Sequence, residues 1–544
     1  MPKLWGSSAP SHPAHPSDDP SHPNNLSFDP DANERTALLS SPSPGTSTSY
    51  PVPVHNGYQS HNGAGAAHRH HHLDPDDPAV TPYNRLSVRS MRWASICFLV
   101  LSLVWWMVLL VNGFVTMPGM HMRSGGWEAF GFSTLSVLLL LVLLLFYATP
   151  SRSERLILST ISFFLFINSL LIVCAYPLRN GESWPGILSV LWALFISIWA
   201  IITDSVVEHG KAGEEERLTG RAETRKSLRE WCSVFFGSGL FAVFLAASVL
   251  MMCNLSILAR DATLEAPGQR IWIDNGGYNL HLYCSPAIGN SIPGGNGSVP
   301  TVLIESGSAP ALGRMESWVK QTQYRYCYYD RPGFGFSDAA PSPLSAGMAV
   351  DALSEALAKS NETGPWVVAA HGVGGIYGRI FAARHVAEVR GLLLVDTLPE
   401  SLLGRIGNPG RGFVLWLRGV ISPLGLQQLW GAVILRRGRE DRVYGREAGC
   451  GGKALKARLQ EALAVRWTAN EVEAANGIMG DRMKTVVVSS GDRMKRDAQW
   501  AEGQRALAGL GKGGWDVVDG VGSEVWRSEE GVKVLGDRLG ELTM

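Results

Sequence analysis

Between positions 91 and 258 the chain is mostly apolar, and five runs within it have the length of a membrane-crossing helix. They occupy 93–115, 130–148, 156–175, 187–202 and 231–252. A helix of about 20 apolar residues covers the roughly 30 Å hydrocarbon core of a bilayer, so the pattern predicts five transmembrane helices in a domain covering 89–258. Pro118, Pro150, Pro177 and Pro185 mark the ends of runs, while Trp93, Trp127, Trp184 and Trp231 fall where an interfacial aromatic belt lies. The fourth run is the shortest unless 203–207 extend it, which brings Asp204 to its edge. None of the five as bounded carries an interior charge, and this disfavours an ion or proton pathway.

On either side of this block the pattern changes. Residues 1–88 hold 14 of the 30 prolines and 9 of the 14 histidines, with no apolar period able to bury a face, and are expected to form a disordered arm. His68, His70, His71 and His72 around Arg69 read as a solvated low-complexity tract or a loose metal-binding cluster. No cleavable signal peptide is expected at the N-terminus. After Arg260, in a domain taken as 259–544, short β-rich runs alternate with helical ones. Strands are predicted at 272–274, 279–284, 301–305, 325–330, 366–370, 391–396, 485–490 and 515–518, with helices at 348–360 and 375–385. Such alternation implies a mainly parallel sheet covered on both faces. The interval 399–483 has helical segments without a convincing strand, and its expected place is a cap over the sheet's C-terminal edge. Within it, 413–435 is apolar but broken by Arg418, Pro423, Gln427 and Gln428, and reads as a cap helix pair lying on the bilayer.

Charge adds a direction. Eleven Lys and Arg residues flank the runs on one side, against Arg123 and Arg179 on the other, which predicts a cytosolic N-terminus. An odd number of spans then puts the C-terminal domain in a lumenal or extracellular space. Sequons at Asn254, Asn296 and Asn361 agree with that side and suggest a glycoprotein, with Asn254 close to the bilayer. Overall, 48 basic residues balance 48 acidic ones, so no global field recruits nucleic acid. Membrane lipids are the expected partners. Seven cysteines without a CxxC pair argue against a zinc ribbon or an iron–sulfur cluster, and neither a metal nor a cofactor is expected.

Three strings carry a resemblance. Tyr329-Asp330-Arg331-Pro332-Gly333-Phe334-Gly335-Phe336-Ser337-Asp338, then Gly364 to His371, then Leu392-Leu393-Leu394-Val395-Asp396 with Pro399-Glu400, resemble in order the strand-to-loop signatures of the α/β-hydrolase superfamily. The resemblance extends from about Gly268 to the C-terminus. It implies a doubly covered sheet with a helical cap, and its sheet order makes Cys284 and Cys327 neighbours, free to join in an oxidising lumen or to stay as buried thiols. The five spans in front are similar to those of multi-pass membrane proteins of filamentous fungi.

The chain departs from the family where the chemistry resides. The family's elbow, G-x-S-x-G, puts a serine on a strained strand-to-helix turn. Here the string is His371-Gly372-Val373-Gly374-Gly375, and Gly372 has no atom that attacks a carbonyl. The family's general base follows the last strand, where this chain has Ser523; His385 is its last histidine. Asp396 and Asp492 stand where the family places its acid, and with no imidazole to orient, each reads as a structural carboxylate. The Val373 N–H with the loop around Ser306, Gly307 and Ser308 retains the makings of an oxyanion hole. His371 either orients the turn or activates a water, whereas Ser489, Ser490 and Ser523 are hydroxyls without an evident base. Two functions compete: a degenerate hydrolase domain that binds a small hydrophobic or ester-like ligand or serves as a scaffold, and a working membrane-bound esterase or lipase with displaced catalytic residues. A decayed or misassembled gene is a third reading, prompted by the short interval 318–329.

Overall fold

The computed structural model describes residues 82–220, 228–286 and 299–544. The proline- and histidine-rich arm up to residue 81, its histidine cluster and the Asn296 sequon lie outside them. Among the described residues, five helices are long and apolar enough to cross a membrane: α1 (Leu86–Phe114), α2 (Trp127–Leu145), α3 (Arg152–Cys174), α4 (Tyr176–Thr219) and α5 (Leu228–Asp261). Helix α1 thus begins inside the stretch read as arm, because apolar Leu86 and Val88 already belong to its first turn.

The fourth helix does extend through 203–207 and is the longest of the five. It has 44 residues and kinks where Ser183 leaves helical space (φ 53°) just before Pro185, whose missing N–H tolerates the break. Its far end is polar. Arg155 pairs there with Asp204 at 3.4 Å and Glu208 at 2.5 Å, so the basic connections are held against an acidic helix face. Glu128, Glu154, Glu182, Asp204 and Glu214 are all buried in the helices. The helices run past the apolar runs that announce them, and the acids occupy those extensions.

The seam between α1 and α4 is polar in a manner that hydropathy alone does not reveal. Indole N–H groups donate to hydroxyls across it: Trp192 to Ser102 at 2.8 Å, Trp199 to Ser95 at 3.0 Å and Trp105 to Ser189 at 3.0 Å. Small hydroxyl residues let the helices approach while giving each indole an acceptor that lipid lacks.

Beyond α5 the chain forms an eight-stranded sheet in the order β1-β2-β4-β3-β5-β6-β7-β8. The strands are β1 (Gln269–Ile273), β2 (Tyr278–Cys284), β3 (Thr301–Glu305), β4 (Tyr326–Asp330), β5 (Trp366–His371), β6 (Val389–Val395), β7 (Lys484–Ser490) and β8 (Trp515–Val518). Pairings β1–β2 and β2–β4 are antiparallel, and the rest are parallel. Side chains alternate between two cores. Leu303, Val368, Leu392 and Val487 face one; Val302, Val367, Leu393 and Val486 face the other. Burial on both faces is why these strands read as continuous apolar runs.

Helix α6 (Glu316–Val319) is a single turn before β4, and Trp318 and Val319 are fully buried, so this short connection is well packed. Helices α7 (Ala346–Lys359) and α8 (Gly374–Arg384) follow. The interval after β6 holds α9 (Leu403–Ile406), α10 (Pro409–Ile421), α11 (Leu426–Leu429), α12 (Arg439–Val443), α13 (Gly452–Leu463) and α14 (Val465–Met479); α15 (Gly491–Arg496), α16 (Ala498–Ala508) and α17 (Glu529–Thr543) complete the fold.

The cap is fastened to the membrane helices. Lys456 on α13 donates to the carbonyls of Asn112 and Gly113 at the end of α1, a cation at a helix C-terminus. The Trp127 indole donates to Gly452 O at 3.0 Å, and Arg442 pairs with Asp261 at 2.6 Å. Asn254, whose sequon the sequence places close to the bilayer, is buried, and its amide donates to Glu128 at 2.8 Å; a glycan has no room there. Asn361 is exposed. Cys284 and Cys327 form a disulfide across β2 and β4.

Candidate functional site

Strand β5 ends at the sheet's C-terminal edge, and α8 starts only two residues later. Gly372 takes the left-handed conformation this turn demands, with φ 57°. A Cβ built there meets nothing closer than Gly307 Cα at 3.5 Å, so the position has room for a side chain. Gly374 is different: its Cβ would lie 2.4 Å from Ser306 O, so only glycine allows α8 to approach the β3 loop. The elbow has its backbone form and the space for a nucleophile, but no nucleophilic atom.

His371 precedes the turn. Its Nε2 donates to the carbonyl of Ser523 at 3.0 Å, and the ring meets Trp526 edge-on at 4.8 Å. Burial, reinforced by the charges of Arg493 and Arg314 and opposed by the Ser523 carbonyl, pushes the imidazole down to about 4. The ring is therefore neutral at pH 7 and engaged with a backbone oxygen rather than a hydroxyl. An unfolded histidine titrates near its ordinary value, so this group's stabilising contribution is complete above about pH 6.5 and is lost as pH falls towards 4. Replacing His371 by Gln is expected to flatten the acid limb of the thermal-stability profile between those limits, by on the order of 3 kcal/mol at most because one ring face borders the cleft. Parallel acid limbs for the two proteins would contradict this assignment.

The remaining candidates fall into two groups. Gly307, Ser308, His371, Gly372, Val373 and Ser523 line one cavity, as the resemblance implies. Asp396 and Asp492 do not line it. Asp396 is fully buried, and its oxygens accept from the Trp500 indole at 2.9 Å, Arg493 Nη1 at 2.8 Å and the Ser490 N–H at 3.4 Å. Burial raises its pKa, with Arg493 opposing. Asp492 accepts from Gly520 N–H at 3.1 Å and so tethers the loop that carries Ser523. Ser489 donates to Gln504 at 2.9 Å, and Ser490 donates to Val521 O at 2.6 Å. Neither hydroxyl contacts an imidazole. One Ser–His pair is present among the described residues, Ser354 Oγ with His385 Nε2 at 2.9 Å, but the serine also donates to Val350 O and the ring stacks on Phe381. It ties α7 to α8.

The Asp330–Asp338 motif proves to be a brace. Asp330 accepts from the Phe336 N–H at 3.0 Å and pairs with buried His281 at 2.8 Å, while Asp338 pairs with Arg270 at 2.7 Å. Arg331 turns beneath the cleft and pairs with Glu461 at 3.1 Å, its guanidinium over the Tyr377 ring. Glu305, 3.8 Å from Arg331, is pushed up to about 8 by burial. Cys284, Cys327 and Glu362 also cluster, but the disulfide removes both thiolates from metal chemistry.

Above the elbow is open space. One cavity of about 690 Å³ lies over Gly372, and a second of about 810 Å³ adjoins it. They share Gly307, Ser308, His371, Arg458, Gly522 and Ser523. Sequence reasoning missed the arginines at this cleft, Arg314, Arg411, Arg446, Arg458, Arg493 and Arg496. The available signal was composition, since nine arginines and only three acids occur between residues 405 and 458.

Sheet order, glycine elbow and helical cap define an α/β-hydrolase-fold domain behind a helical membrane region. Residues 306–533 match the alpha/beta hydrolase family, and 34–284 match a region of unknown function, DUF2417. An uncharacterized protein of Schizosaccharomyces pombe is 30% identical over 83% of this chain and 90% of its own length. The chain belongs to that protein's family. An uncharacterized vacuolar membrane protein of Saccharomyces cerevisiae is 26% identical over 59% of this chain and 60% of the relative. Among solved structures, a carboxylesterase of Nitrososphaera gargenis is 14% identical, with 51% of this chain and 99% of the esterase covered at a TM-score of 0.37.

Proposed function

We propose that the chain is a membrane-resident, non-catalytic member of its family that holds a ligand in the cleft over Gly372. The observation that carries this reading is the pairing at the elbow: no nucleophilic atom at position 372, and the neighbouring imidazole spent on the Ser523 carbonyl. In serine hydrolases, loss of the triad lowers kcat by roughly 10⁶ and leaves about 10³ to 10⁴ over water from the oxyanion hole and binding. An open cleft favours ligand binding over a purely scaffolding role, because a scaffold has no need of a cavity in the range of ligand pockets.

The hydrolase-like domain is assigned to the lumenal side. The eleven-to-two bias of basic residues supports this, as do the exposed sequon at Asn361 and the Cys284–Cys327 disulfide, since disulfides persist in oxidising compartments. The Saccharomyces cerevisiae relative makes the vacuolar membrane the first place to look. Purified full-length protein is expected to remain unlabelled by a fluorophosphonate probe that labels an active serine hydrolase in the same detergent. Stoichiometric labelling at any serine would favour the alternative, a working esterase or lipase with displaced residues.

A further inference from the structure

Charge around the cleft is unevenly compensated. Each acid there is already paired with an arginine: Glu461 with Arg331, Asp497 with Arg405, and Glu524 with Arg314 and Arg527. Arg493 is matched by Asp396. Arg411, Arg446, Arg458 and Arg496 also face the cavities, and none of them has a carboxylate within ion-pair distance among the described residues. Unopposed guanidinium groups at a concave site make a positive potential that anions relieve.

Arg458 is the best placed of the four. It lines both cavities, its Nη2 donates to Ser308 O at 3.0 Å, and its buried Nε has no acceptor among the described residues. Gly449 lies so close to its Nη2 that a Cβ there would sit 2.3 Å away, so the guanidinium is clamped between the cap and the β3 loop. A guanidinium held in place by its Nη2 and facing both cavities suits a phosphate, whose oxygens accept charge-assisted hydrogen bonds. Leu398, Ile406 and Trp500 supply apolar wall on the Gly372 side.

The cap also leads from this cleft to the bilayer. Ile406 and Arg411 line the cavity, and about two turns later Gly419 lies against the Trp127 indole at the start of α2. Along this stretch Phe413, Val414, Leu417 and, just past Gly419, Ile421 form one exposed face of α10, continued by Leu426, Trp430, Val433 and Ile434. Apolar residues exposed beside membrane helices are solvated by lipid rather than water.

Resting on the non-catalytic reading, we infer that the cleft receives the headgroup of an anionic, phosphate-bearing membrane lipid, with Arg458 as its chief recognition group and the α10 face guiding its acyl chains. The shared chemistry is a phosphate ester; continuity with the bilayer argues for the lipid rather than a soluble phosphoester.

Binding is tested with full-length protein in dodecyl maltoside, using dioleoyl phosphatidic acid, dioleoyl phosphatidylcholine and glycerol 3-phosphate as probes, read by native mass spectrometry and tryptophan fluorescence. Phosphatidic acid is expected to bind at least about tenfold more tightly than phosphatidylcholine, and Arg458→Gln to weaken it by about tenfold or more. Arg411→Gln, at an exposed position on the rim, is expected to weaken it about threefold, and serves as the second measurement if the Arg458 variant misfolds. Wild-type binding by both variants, or equal binding of phosphatidylcholine, would overturn the inference. Glycerol 3-phosphate binding as tightly as phosphatidic acid would replace the lipid with a soluble phosphoester. Recovered lipid separates the two readings: release of oleate by the wild-type protein sinks the non-catalytic one, whereas intact lipid bound without dependence on Arg458 or Arg411 sinks only the anion site.

Discussion

A chain carrying Gly372→Ser and Ser523→His together is expected to react with a fluorophosphonate at least about 100-fold faster than either single variant, because general-base assistance contributes roughly 10² to 10⁴. The backbone at Gly372 already has the positive φ of an elbow, and a side chain there meets only Gly307 Cα at 3.5 Å. Ser523 O lies 3.0 Å from His371 Nε2, so a histidine at 523 is placed beside the turn. Asp492 accepts from the Gly520 N–H of the loop that carries position 523 and is the acid chosen to orient it. The single Gly372→Ser variant lacks a base, and the single Ser523→His variant lacks a nucleophile. Equal, background-level labelling of all three variants would mean that the cleft has lost more than two side chains, and that a missing serine and histidine do not suffice to explain a silent site.

The second large effect is on stability. Asp396→Ala is expected to cost about 3 kcal/mol, at the lower end of the range for breaking a buried ion pair, because Arg493 is 38% exposed and water can take over its charge. What remains unsatisfied is the interior: the Trp500 indole and the Ser490 N–H lose their common acceptor. For a domain of this size the melting temperature should fall by roughly 6 to 12 °C, measured by nanoscale fluorimetry. Asp396→Asn retains an oxygen for the indole and is expected to lose about half as much. A melting point within a degree of wild type for Asp396→Ala would show that the carboxylate does not hold the Arg493–Trp500 layer together.

Both predictions bear on what the fold needs from each position around the elbow. The elbow turn, the tight α8 approach at Gly374 and the braced loop after β4 depend on backbone geometry and buried packing, which select for glycine and for satisfied polar groups whatever the cleft does. A nucleophile and its base are exposed to the cavity and contribute little to that packing. They can disappear without disturbing the sheet, and Gly372 and Ser523 occupy their places at no evident structural cost.

Much of the architecture was written in local patterns. Runs of about 20 apolar residues announce membrane helices, and alternating strand and helix signals announce a covered parallel sheet, because each records which faces an element must bury. Position-specific strings exposed the glycine at the elbow and the missing histidine. Helix ends were less legible: the extension of α4 beyond its apolar core has its acids paired with Arg155, a partner far along the chain. The arginine cleft was hidden for the same reason. Arg314, Arg411, Arg458 and Arg493 are distant in sequence, and which of them keeps an uncompensated charge is decided only when folding pairs Glu461, Asp497 and Glu524 with other arginines. Covalent sequence determined the elements and the glycine at the elbow, while tertiary structure alone decided where unopposed charge gathers, since electrostatic compensation acts between neighbours in space.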